Sequence, residues 1–75
     1  MEFRLTQGVK LLRDMRGAGV MESLEPFTEL KTRISEWVKT GVRWEGRIEF
    51  PTYGRYVDLT LPKTGTATLA FKMHR

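Results

Sequence analysis

The side chains able to do acid–base or nucleophilic work are few and scattered. The 75 residues include one histidine, His74, two serines, Ser23 and Ser35, and no cysteine or asparagine. Nucleophilic catalysis needs a base beside a nucleophile and a third group to orient that base, and this inventory does not assemble one. His74 stands next to the C-terminus and is expected as a solvated end residue. The nearest approach to a carboxylate pair is Glu45 and Glu49, which on a strand stand roughly 13 Å apart, beyond the separation at which two carboxylates flank one bond. They are expected instead to pair with Arg43 and Arg47. Without cysteine there is neither a disulfide nor a zinc spacing. Gly17-Ala18-Gly19 lacks the third glycine, the preceding strand and the lysine of a phosphate-binding loop. The sequence therefore predicts a non-enzymatic protein with no catalytic, cofactor or metal site, and it points to no small-molecule substrate.

The run Leu61-Pro62-Lys63-Thr64-Gly65 resembles the LPXTG signal that sortases cleave between Thr and Gly, and matches it letter for letter. That signal works in front of a long apolar stretch and a basic tail. Here the following residues are interrupted by Thr66, Thr68 and Lys72, and the pentapeptide is read as a turn between two strands, with Pro62 opening it and Gly65 supplying a positive φ.

Charge is the next chemistry to weigh. The net charge is +4 and the pI about 9.9, a balance that suits phosphate backbones. Residues 1–41 carry seven Lys/Arg against six Asp/Glu, and residues 42–75 carry six against three, so the excess lies in the second half. Arg43, Arg47, Arg55, Lys63 and Lys72, with Tyr53 and Tyr56 to stack on bases, form the candidate nucleic-acid contacts. They make a diffuse basic surface and not a stripe, so nucleic-acid binding is the alternative reading.

These residues are positioned by a short list of elements. Leu5, Val9, Leu12 and Met15 recur at helical spacing and predict a helix over 3–16 with that stripe facing the core. It is expected to close at Gly17 and Gly19 in left-handed geometry. Val20, Leu24, Phe27, Leu30, Ile34, Trp37 and Val38 predict a second helix over 24–40, with Ser23 as N-cap, Pro26 in the first turn and Gly41 as the stop. Thereafter the period falls to two. Residues 42–50 alternate Val42, Trp44, Gly46, Ile48 and Phe50 with Arg43, Glu45, Arg47 and Glu49. Residues 55–61 set Val57, Leu59 and Leu61 against Tyr56, Asp58 and Thr60, and residues 66–73 set Ala67, Leu69, Phe71 and Met73 against Thr66, Thr68, Ala70 and Lys72.

Three strands joined by hairpins make an antiparallel meander with one apolar face, and two amphipathic helices can cover it. The expectation is one α+β domain over 1–75, ordered α-α-β-β-β in two layers, with both tryptophans on apolar faces. The last strand would lie at an edge, and residues 66–71 carry no charge to protect it. Its outer face with its neighbour, Thr66, Thr68, Ala70, Lys72, Tyr56 and Thr60, is the candidate protein interface. The expected partner is another protein or a second copy joined through that edge. The first residues lack the regions of a secretory signal, and no run approaches the ~20 apolar residues of a membrane span, so a cytoplasmic placement without membrane contact is expected.

Overall fold

The computed structural model describes residues 2–74. Its elements are α1 (Glu2–Gly17), α2 (Glu25–Thr40), β1 (Trp44–Phe50), β2 (Arg55–Leu61) and β3 (Thr68–Met73), with a 3-10 turn at Pro51–Tyr53. The strands pair antiparallel in the order β1-β2-β3. Both helices lie on one face of the sheet, α2 against β1 and α1 against β3. This is the two-layer α+β arrangement that the change from helical to two-residue periodicity predicts. The other face of the sheet is open to solvent.

The core fills the space between the layers. Leu11, Met15, Val20, Phe27, Leu30, Ile34 and Trp37 come from the helical half, and Ile48, Phe50, Val57, Leu59, Leu61 and Ala67 from the sheet half. Trp37 is 2% exposed, and its Nε1 donates to the Pro62 carbonyl over 2.8 Å. A buried indole N–H without an acceptor would be costly, so this bond lets the largest core side chain sit inside while it ties α2 to the β2–β3 connection. Trp44 is half-buried on the same side of the sheet, where its ring lies over Gly46: a Cβ built there would stand 2.8 Å from the ring. The Arg33 guanidinium of α2 stacks on the indole at 4.8 Å from the ring centroid.

The first helix is rotated from its expected setting. Gly8, Leu11 and Met15 are buried, whereas Leu5 and Val9 are 52% and 48% exposed. The cause is Gly8, whose missing side chain lets α2 approach so closely that a Cβ would meet Ile34 Cγ2 at 3.0 Å and Val38 Cγ2 at 3.1 Å. The helix turns its smallest residue to its neighbour, and two large apolar side chains go outward. Arg4, beside the same contact, donates from Nε to the Val38 carbonyl, placing a cation at the negative end of α2.

Element boundaries also depart from expectation for identifiable reasons. Helix α2 begins after Leu24, and Ser23 makes no cap bond. Its start is fixed by Pro26 in the first turn and by the Leu24 carbonyl, which accepts from Phe27 and Thr28. At the end of α1, Gly17 stays helical and Gly19 alone of the two takes a positive φ, 82°. Helix α2 does stop at Gly41, in left-handed geometry with its N–H bonded to the Trp37 carbonyl. Strand β1 starts at Trp44, not Val42, and Val42 is 69% exposed. The register pairs Trp44 with Leu61, the last residue of β2, so Arg43 and Val42 have no strand residue opposite them. Val42 N–H turns instead to Thr40 Oγ1.

Strand β3 begins at Thr68, leaving Thr66 and Ala67 in a connection spanning 62–67. Gln7 decides this end: its Oε1 accepts from Ala67 N–H at 2.6 Å while its Nε2 donates to the Gly65 carbonyl at 3.4 Å. Gly65 has the positive φ that the turn requires, 97°. Removing the amide in Gln7→Ala leaves the main-chain N–H of a buried residue without an acceptor. The expected result is a loss of about 1–3 kcal/mol, read as a lower urea midpoint with unchanged slope and faster amide exchange at Ala67. An unaltered midpoint would show that the bond holds nothing in place.

Candidate functional site

The open face of the sheet gathers five of the six residues expected as a protein interface. Register rows set Glu45, Thr60 and Thr68 side by side, then Arg47, Asp58 and Ala70, then Glu49, Tyr56 and Lys72. Thr66 is apart from them in the connection. The charges here pair across strands and not along β1. Arg47 Nε and Lys72 Nζ each lie 3.4 Å from an Asp58 oxygen, and Glu49 Oε1 lies 2.7 Å from His74 Nε2, so neither glutamate of β1 takes an arginine of its own strand. Cross-strand neighbours on one face are closer than residues two apart along a strand, which explains the exchange. His74 is thus engaged and not simply solvated. The Tyr56 ring is engaged as well, with the Arg47 guanidinium 3.9 Å from its centroid and the His74 ring at 4.7 Å.

The candidate nucleic-acid residues fall into separate groups. Arg47, Lys72 and Tyr56 share the open face with Asp58 between the cations. Arg55 is on the opposite face, its guanidinium 4.0 Å above the Phe71 ring. Tyr53 sits in the 3-10 turn, packed on the core, and its hydroxyl accepts from Met21 N–H. Arg43 and Lys63 lie in two loops. A base stacking on Tyr56 would have to displace a partner the ring already has.

The edge of β3 is partly covered. His74 N–H donates to the Gly54 carbonyl, which makes those two a hydrogen-bonded pair. By alternation the main-chain groups of Tyr56 and Lys72, Asp58 and Ala70, and Thr60 and Thr68 also face each other. Those of Leu69, Phe71 and Met73 therefore point outward. Arg55 reaches across the strand to donate from Nη2 to the Phe71 carbonyl at 3.2 Å, and the neighbouring Ala67 N–H is occupied by Gln7. Side chains from elsewhere in the chain thus occupy two of the outward groups of residues 66–71, a partial cover that a scan of their own sequence does not reveal. Met73, expected inside, is 69% exposed.

A third surface, unforeseen from the sequence, lies on the side of the helices turned from the sheet. Leu5 and Val9 form a ridge between two shallow grooves. One is lined by Gly8, Leu12, Ile34, Ser35, Val38 and Lys39, and the other by Thr6, Lys10 and Arg13. The first is floored almost wholly by carbon. Neither has an aspartate or glutamate in its wall, and Lys10, Arg13 and Lys39 make no ion pair among the described residues. The available signal is Gly8, since a glycine inside an otherwise strong helical pattern can have a packing reason, here the side chains of Ile34 and Val38.

Among the described residues no three His, Asp or Glu side chains gather as metal ligands would, and no helix is long and apolar enough to cross a membrane. No family model, curated protein or solved structure matches the chain.

Proposed function

We propose that this protein is a small non-enzymatic interaction module, an adaptor, regulator or inhibitor, that docks another protein through the apolar ridge of α1. The observation that carries the reading is the outward setting of Leu5 and Val9, about half exposed on a 16-residue helix that gives Leu11 and Met15 to the core. Clustered exposed apolar surface with a polar rim is what a recognition surface offers. The open sheet face supports the reading less well, because its charges and its tyrosine already have partners. Self-association through β3 would have to work around Arg55 and Gln7. The dispersal of the basic residues argues in the same direction against nucleic acid.

A photo-crosslinking amino acid at Val9, and separately at Thr60 and Lys63, introduced into the full chain in its source cell, tests this. The expected product is an adduct to one defined polypeptide from Val9 and none from Thr60 or Lys63. Adducts to nucleic acid, or adducts from Thr60 alone, would overturn it in favour of the sheet.

A further inference from the structure

We infer that the occupant of the α1–α2 groove is an acidic amphipathic helix of another protein. This rests on the docking reading above and adds the chemistry of the partner. Both walls are helices whose main-chain groups bond within their own element, so a segment lying between them gains no main-chain hydrogen bond from the protein. It must satisfy its own N–H and C=O groups, which a helix does and an extended peptide does not.

The anchors agree with that form. From Leu5 to Leu12 the apolar strip of ridge and groove wall rises about 10 Å, which is two turns of a facing helix and takes apolar side chains at i, i+4 and i+7. The half-buried Leu12 and Val38 provide a shallow apolar floor for such side chains, the space beside Gly8 being already filled by Ile34 and Val38.

Charge selects the flanks of the partner. Lys10, Arg13 and Lys39 surround the ridge and no acid lines either groove, so a helix with Glu or Asp beside its apolar stripe meets complementary charge along its length. A second copy of this chain would bring the same three cations face to face, which disfavours a symmetric dimer on this surface. An anionic lipid surface shares the charge logic, but membrane-surface helices bury a continuous apolar face in the plane of the bilayer. Here the exposed apolar surface is a ridge of two side chains beside a shallow groove and not such a face.

The test uses the full chain and a displayed library of helix-patterned peptides about four turns long. Apolar anchors are varied among Leu, Ile, Phe and Met, and flanking positions are randomised among Glu, Lys and Gln. The expected pool is rich in Glu, moves the amide signals of Leu5, Val9, Leu12 and Val38 but not those of Thr60 and Thr68, and weakens roughly tenfold with Lys10→Glu plus Arg13→Glu. Lys-flanked peptides should bind that double variant better than the unaltered chain. A pool without acid preference, signals confined to the sheet, tighter binding to phosphatidylserine vesicles than to any selected peptide, or no binder at all would each overturn the inference. Adducts from Val9 in the cell together with a pool lacking acids would remove the acidic helix while leaving the docking surface standing.

Discussion

Trp37→Ala is expected to leave the protein mostly unfolded or within reach of unfolding by mild urea. Trp37 is among the largest fully buried side chains, and truncating a buried tryptophan to alanine costs about 3–5 kcal/mol through lost transfer energy and a residual cavity. A domain of 75 residues has a total stability of about 4–11 kcal/mol, so this one change removes a large share of it. The effect has a second source. The Pro62 carbonyl loses its 2.8 Å donor, and with it the link between α2 and the turn that ends β2.

Trp37→Phe separates the two. It keeps most of the ring and removes the N–H, and the expected loss falls to about 1–3 kcal/mol. Urea unfolding followed by far-ultraviolet circular dichroism reads both variants. A midpoint for Trp37→Ala within experimental scatter of the unaltered chain would show that the space between the layers is not packed as described.

Gly46→Val is the second large effect, and it runs against strand propensity. Valine suits a strand better than glycine, by an amount under about 1 kcal/mol. Yet its Cβ would stand 2.8 Å from one atom of the Trp44 ring and 2.9 Å from another, and overpacking of this kind costs about 1–3 kcal/mol. The indole must swing away from the sheet, abandoning the stack with Arg33 and its place at the margin of the core. Expected results are a net loss of stability and a red-shifted tryptophan emission. Trp44→Leu in the same chain removes the colliding ring, so Gly46→Val should cost little or nothing in that background, and the mutant cycle should show strong coupling. Equal costs in both backgrounds would mean that the ring does not lie over Gly46.

Much of the architecture is readable in one dimension, because each element's burial pattern repeats at its own period. Val57, Leu59 and Leu61 alternate as a strand with one covered face should, and all three are buried. Phe27, Leu30, Ile34 and Trp37 recur at helical spacing and form the buried side of α2. What resists such reading is decided between elements. The spacing of bulky residues draws the stripe of α1 through Leu5, Val9, Leu12 and Met15, whereas its contact with α2 centres on Gly8, which an apolar count passes over. The outer-face pairs of Arg47 with Asp58 and Glu49 with His74 require the strand register. The ends of β1 and β3 are set by the end of β2 at Leu61, opposite Trp44, and by Gln7 at Ala67, a partner 60 positions away.

The connection 62–67 is grasped from both helices, by Trp37 at Pro62 and by Gln7 at Gly65 and Ala67. Lys63 on its crest is exposed and would ordinarily invite trypsin. A protease, however, must draw several residues on either side of the scissile bond into an extended strand, and here that movement is opposed at each end by a clasp whose release disturbs the core. Susceptibility at Lys63 is thereby coupled to opening of the whole molecule and not to the mobility of a surface turn.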